Sequence, residues 1–398
     1  MAFPSLSGGF GLPAHIQANL KTETRSLSMS QDDVLFSSFT LGDIELPNRV
    51  LMSPLTRSRA QQPGDVPFEM NVEYYAQRAS AGLIISEATQ VSPQGKGYAF
   101  TPGIHSQEQI DGWKKVTDAV HDAGGRIHLQ LWHVGRISRP ELQPDGDTPV
   151  APSAIKPEGA KTFISAESGM VDVLEPRALS TEEIPDIVEQ FRIGAENAKA
   201  AGFDGVEIHG ANGYLLDQFI KSNSNQRTDS YGGSLANRLR LPLEVVDAVV
   251  SVWGKGRTGI RVSPTGSFND MNEPDPVTTY GELAKELDKR GIAYIEVVED
   301  SFQGNLAKGR PEEVINAIRD NFSGAYIGNG NYDADEARQR IGDGLCDLVT
   351  FGRPFIANPD LPERFRTGAP LNEWDDSTFY GGSEAGYTDY PFLEKAAS

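Results

Sequence analysis

The sequence has one cysteine, Cys346, in 398 residues. A single thiol cannot build a disulfide framework or a thiolate metal cluster, and it fits a reducing, cytoplasmic location. Positive charge is also scarce: 36 Lys and Arg stand against 56 Asp and Glu, a net charge of −20. That balance repels phosphate backbones and anionic lipid heads, so neither nucleic acid nor a membrane surface is an expected partner. No apolar run reaches the roughly 18 residues that a membrane-spanning helix needs. The first thirty residues lack acids apart from Glu23 and are rich in Ser and Gly. Residues 1–32 therefore read as a flexible N-terminal extension outside the folded domain, with an organelle transit peptide as the alternative.

What is present is a repeat of pattern. Helix-like stretches end in Gly and feed short apolar strands, as in "RASAGLIISEA" (78–88), "VHDAGGRIHLQLWH" (120–133) and "AKAAGFDGVEIHG" (198–210). "LDKRGIAYIEVVE" (287–299) and "IGDGLCDLVTFGRP" (341–354) repeat it. "RVLMSP" (49–54), "TGIRVSP" (258–264) and "GAYIGNG" (324–330) supply three more strands. The glycines suit helix C-caps, and Val/Ile/Leu-rich strands suit a parallel sheet. Helical patterns fall at about 69–80, 107–122, 181–200, 235–252, 277–290, 311–320, 333–341 and 359–367. Eight strand–helix units in alternation predict a single (β/α)8 TIM barrel over residues 33–398. A doubly wound sheet would need a Gly-rich fingerprint after the first strand, where "PLTRSRAQQPGD" has none. Residues 36–50 predict a β-hairpin turning at Gly42-Asp43 that plugs the barrel bottom. Residues 133–180 form a long insertion after the third strand, expected to act as a lid.

Active sites of such barrels lie at the C-terminal strand ends. Gly330 and Asn331 sit in a turn after the seventh strand, and Gly352 and Arg353 follow the eighth. Two such turns with an Arg suit a phosphate. Thr56 and Gln130 offer a hydroxyl and an amide, and Arg261 needs an anionic partner in an otherwise apolar strand. A planar heterocycle with carbonyls and a phosphate tail satisfies these groups, and FMN fits. His209, Asn212 and Tyr214 fall within six residues at the end of the fourth strand, more hydrogen-bonding chemistry than a turn requires. His128 and His133 suggest a metal pair, but His128 lies two residues below Gln130 on the same strand face, which places it in the core. No metal site is expected.

At this point the sequence resembles the Old Yellow Enzyme family of FMN-dependent NADPH ene reductases. The resemblance rests on "NRVLMSPLTRSRA" (48–60), "ISEATQVSPQGKGY" (85–98), "LQLWHVGR" (129–136) and "EIHGANGYLLDQF" (207–219). It extends through "SNQRTDSYGGSLANRLR" (224–240), "RVSPTGSFND" (261–270), "FGRPFIANPDLPERFRTGAPLN" (351–372) and "FYGGSEAGYTDYP" (379–391). It implies that Pro54, Leu55, Thr56, Ala88 and Gln130 line the flavin and that Arg261 stabilises its reduced form. Gly330, Asn331, Gly352 and Arg353 would hold the phosphate. His209 and Asn212 would grip a substrate oxygen, Tyr214 would donate a proton, and Tyr98 and Tyr380 would shape the pocket. The implied reaction passes hydride from NADPH to FMN and then to the β-carbon of an α,β-unsaturated carbonyl or nitro compound. Asn212 stands where some members have a second His, which bears on binding preference. The resemblance leaves the oligomeric state open, a homodimer included. Two rivals remain: a Schiff-base aldolase, which would need a strand-end lysine that is missing, and a flavin-binding protein without turnover.

Overall fold

The computed structural model describes residues 33–299 and 311–394. The expected N-terminal extension lies outside the described residues. Eight strands alternate with helices: β1 (Val50–Met52), α1 (Glu69–Gln77), β2 (Ile84–Ile85), α2 (Gln107–Asp122), β3 (Ile127–Trp132), α3 (Ile184–Ala200), β4 (Gly205–Gly210) and α4 (Arg240–Trp253). They continue as β5 (Thr258–Val262), α5 (Pro276–Arg290), β6 (Tyr294–Val298), α6 (Glu312–Arg319), β7 (Ala325–Asn329), α7 (Ala334–Gly342), β8 (Leu348–Phe351) and α8 (Leu361–Thr367). All neighbours pair in parallel, and β8 closes on β1 through Thr350 opposite Leu51. The fold is the (β/α)8 barrel that the alternation predicts. Among the described residues, no helix is long and apolar enough to cross a membrane.

The strands' two faces differ, which a reading of uniformly apolar strands does not anticipate. Outward residues such as Val50, Ile84, Leu129, Val206, Ile260, Val297 and Phe351 are buried with the helices in the main core. The inward face is layered. At the bottom, Leu51, Leu83, Ile85, Ile327 and Leu348 pack on Leu41, Ile44 and Leu46. Those three belong to the hairpin Phe39–Leu41/Ile44–Leu46, whose register pairs Leu41 with Ile44. The hairpin therefore plugs the barrel bottom as predicted. Its turn needs Gly42, which has φ +57° and no room for a Cβ against the Gly256 carbonyl. His128 and Tyr294 fill the next space, the imidazole lying on Gly205 and the phenol ring on Gly259.

Above them, period two brings polar residues inward: Gln130, Glu207, Arg261, Glu296, Asn329 and Thr350. Higher still stand Trp132, His209 and Ser263. Two predicted elements differ in detail. The helix expected at 235–252 is two pieces, Leu235–Arg238 and α4, with Leu239 between. The long insertion carries its own antiparallel hairpin, Lys161–Ser165/Gly169–Asp172.

Candidate active site

The end of β4 supplies the first candidate groups. His209 is 3% exposed, and its Nδ1 accepts a hydrogen bond from the Ala211 N–H at 3.3 Å. An accepting Nδ1 leaves the proton on Nε2, so the neutral ring presents a donor there. Burial first, then the charge of Arg261, holds this imidazole well below its ordinary pKa. Asn212 follows in the left-handed region at φ +58°, and Gly213 at +75°. A Cβ at Gly213 would lie 2.7 Å from that of Asn269, so this position requires glycine. Gly210 ends the strand, and Asn212 itself takes the unusual backbone.

That backbone is held from below. Ser263 Oγ accepts from Asn212 N at 2.7 Å, and Asp217 accepts from Gly213 N at 2.9 Å. Asp217 also takes the Tyr280 hydroxyl at 3.1 Å and pairs with Lys221 at 3.3 Å, both charged side chains being fully buried. The Asn269 amide donates to Asn212 O at 2.9 Å. The Asn212 side-chain amide itself has no partner among the described residues, nor has His209 Nε2. Sequence reading missed Asp217 and Lys221 as supports; the (i, i+4) carboxylate–lysine spacing was the available signal.

Tyr214 is the N-cap of the short helix Leu215–Ile220. Its hydroxyl lies 3.3 Å from that of Tyr98, and its ring is edge-on to His209 at 5.0 Å. Burial first raises the Tyr214 phenol well above its usual pKa and pushes Tyr98 up to about 12, so both stay protonated at neutral pH. Trp132 ties the group together, stacked on Tyr98 at 5.8 Å and His209 at 6.3 Å. The segment carrying Tyr98 is bound to the insertion hairpin: Ala99 N donates to Phe163 O at 2.8 Å, and Thr162 Oγ1 donates to Gly97 O. Tyr380 is 60% exposed, yet close enough to Tyr98 and Tyr214 to perturb both phenols. It rides on a C-terminal segment whose carbonyls Arg57 and Arg59 grip, including Gly386 O at 2.7 Å and Thr378 O at 2.9 Å.

The remaining candidates surround the same mouth. Pro54, Leu55 and Thr56 leave β1 half-buried, and Ala88 is buried beyond β2. Gln130 is committed through Nε2 to Glu207 at 2.8 Å, leaving its Oε1 without a partner among the described residues. Arg261 has a partner inside the protein rather than only above it: Nε meets Glu296 at 3.1 Å and Nη2 meets Asn329 at 2.8 Å. Its Nη1 has no partner among the described residues. Gly330 is half-buried and Asn331 exposed; Gly352 caps the helix Arg353–Ala357, with Arg353 exposed at its first position.

Other buried titratable groups lie outside this arrangement. His128 is buried, 3.4 Å from the Tyr294 hydroxyl, and its pKa falls to about 4 through desolvation. Glu87 accepts from Arg57 N at 3.2 Å and the Tyr75 hydroxyl at 3.3 Å. Cys346 is buried, its thiol pushed up to about 12 chiefly by burial.

The donor set fits a flavin. Among the described residues it offers unpaired neutral donors and acceptors, one guanidinium nitrogen and the exposed Arg353 at the start of its helix. Comparison with known proteins agrees. Residues 34–372 match the NADH:flavin oxidoreductase / NADH oxidase family. The chain is 46% identical over 364 residues to 12-oxophytodienoate reductase 1 of Oryza sativa subsp. japonica, covering 91% of this chain and 93% of that protein. A structure of morphinone reductase in complex with tetrahydroNAD superposes with a TM-score of 0.87 at 54% identity, over 91% of this chain and 98% of that one. An old yellow enzyme homologue from Zymomonas mobilis gives a TM-score of 0.86 at 42% identity, over 90% and 99%. Similarity of this extent, in sequence and in fold together, leads to one assignment: the chain belongs to the Old Yellow Enzyme family of flavin oxidoreductases.

Proposed function

We propose that the protein is an FMN-dependent ene reductase that uses a nicotinamide to reduce electrophilic alkenes. The observation that carries this reading is one strand-end turn that presents His209 Nε2 and the Asn212 amide, both unpartnered among the described residues, with the protonated Tyr214, whose ring lies 5.0 Å edge-on to His209. Two neutral donors suit the oxygen of an unsaturated carbonyl, imide or nitro compound, on which negative charge builds as the β-carbon accepts hydride. Tyr214 then supplies a proton to the α-carbon. Tyr98, in contact with Tyr214 and Trp132, and Tyr380 on the C-terminal segment bound the pocket. The insertion 133–180 acts as a lid through its hairpin ties to the Tyr98 segment.

FMN, when bound, supplies the hydride chemistry. Pro54, Leu55, Thr56, Ala88 and Gln130 line the ring, and Arg261 faces the charge gained on reduction. Gly330, Asn331, Gly352 and Arg353 hold the phosphate. NADPH is the reductant that the family resemblance leads us to expect. NADH is the second reading, favoured by the tetrahydroNAD bound to a relative that superposes at 54% identity. The relatives' names, 12-oxophytodienoate reductase and morphinone reductase, support a carbonyl substrate.

The test is anaerobic. The purified chain should show flavin absorbance, bleach with NADPH or NADH, and regain its colour with cyclohexenone or N-ethylmaleimide. Absence of flavin bands would reject the cofactor. Bleaching without reoxidation by any enone, imide or nitroalkene would leave a flavoprotein that is not an ene reductase.

A further inference from the structure

The polar layer beneath the mouth holds three ionisable groups: Arg261, Glu296 and Glu207. Glu207 and Glu296 have no exposed surface, and Arg261 is 8% exposed. Were all three ionised, the layer would carry a net negative charge with little access to water, which is costly. Hydrogen bonding shows where the charge resides. Glu296 Oε1 accepts from Arg261 Nε at 3.1 Å and from Thr350 Oγ1 at 3.0 Å, as a carboxylate does. Glu207 meets only neutral donors, the Gln130 amide at 2.8 Å and the nearby Tyr294 hydroxyl. The second oxygens of both carboxyls, Glu207 Oε2 and Glu296 Oε2, are buried with no donor if both are ionised. The two carboxyls are close enough to interact, so a proton held by Glu207 removes the repulsion between them.

We infer that Glu296 is the fixed counter-charge that tempers Arg261, setting how strongly the site favours reduced over oxidised FMN, while Glu207 stays uncharged beside it. The inference rests on the proposal that FMN lies above Arg261. Burial first, and the charge of Glu296 second, raise Glu207 well above the ordinary carboxylate range, which supports the protonated assignment. With Glu296 ionised, the negative charge of a reduced cofactor meets an ion pair rather than a lone cation. Its attraction is then weaker than the guanidinium alone would give. Glu296 does not touch the reacting atoms in this account; it acts through Arg261.

The experiment is the midpoint potential of the FMN-bound full chain, measured anaerobically against a reference dye. Glu296→Gln should move the midpoint positive by at least about 30 mV, the equivalent of a tenfold change in the ratio of affinities for reduced and oxidised FMN. Glu207→Gln, which leaves the layer's charge unchanged, should keep the wild-type midpoint, and so should Glu296→Asp. Flavin-bound Glu296→Gln at the wild-type midpoint would overturn the inference alone. So would a Glu207→Gln shift as large as that of Glu296→Gln. If Glu296→Gln does not fold, the other two variants decide: a positive shift in either overturns the assignment, and wild-type midpoints in both uphold it. A wild-type chain without flavin absorbance would overturn the parent reading, and this inference with it.

Discussion

Each side chain of the candidate site does something its neighbours make possible. Tyr214 keeps its proton because it is buried and the Tyr98 hydroxyl is 3.3 Å away. Replacing Tyr214 with Phe removes that proton while sparing the ring packing against Trp132. Reoxidation by enones should slow on the order of 10²-fold or more, in line with lost general-acid catalysis. Reduction by the nicotinamide should hold its rate, and equal loss in both half-reactions would reject the proton-donor role. Ser263 makes a different contribution. Its Oγ anchors the N–H of a residue in the left-handed region. Ser263→Ala leaves that N–H without its acceptor, costing about 1–3 kcal/mol, and frees Asn212 to drift. The KM for cyclohexenone should rise, and Ser263→Thr should restore it; an unchanged KM in the alanine variant would sink the positioning role. His209, Asn212 and Tyr214 were legible because their spacing exceeded what a turn needs. Asp217 and Lys221 were not, because a buried charge pair on a helix reads in sequence like a solvated one.

At the level of elements, the barrel depends on pieces outside the strand–helix alternation. The bottom hairpin was readable from its Gly-Asp turn and alternating apolar residues, and the structure puts Leu41 and Leu46 each at 1% exposure. Leu46→Ala should therefore open a cavity against the inward Leu51 of β1, Ile85 of β2 and Leu348 of β8, costing about 2–5 kcal/mol. A urea unfolding midpoint would measure it; a loss within error would mean the hairpin merely rests on the barrel. The C-terminal segment was less legible. Three arginines, Arg57, Arg59 and Arg78, hold it by backbone carbonyls that carry no side-chain signature, for example Arg78 to the Tyr387 carbonyl at 3.4 Å. Stacking of Tyr74 on Tyr387 at 4.0 Å closes the contact. The polar layer was hidden for a related reason. Gln130, Arg261 and Glu296 are separated by more than a hundred residues in total, and only barrel closure makes them one hydrogen-bonded layer.

For the molecule as a whole, alternation and glycine placement were enough to read the barrel, whereas protonation states required the fold. A surface with net charge −20 says nothing about the carboxyls sealed inside it. Glu87 shows the consequence. Desolvation, only partly offset by the Arg57 N–H and charge, raises it from 4.5 to about 7. The folded chain therefore holds a proton there that the unfolded chain releases. This contribution to stability is full below pH 4.5 and is lost as pH rises through about 7. His133 and His128 have the opposite sign: burial lowers them to about 3 and about 4, so they favour the folded chain above pH 6.5 and lose that stability as pH falls. Glu87→Gln isolates the first term, since an amide can still accept from the Arg57 N–H without ionising. Relative to wild type, the variant should gain stability between pH 5 and pH 8 on the order of 3 kcal/mol, the linkage of a shift of about two and a half units. Urea midpoints at the two pH values would read the gain, and parallel pH dependence in the two proteins would show that Glu87 ionises as readily when folded as when unfolded.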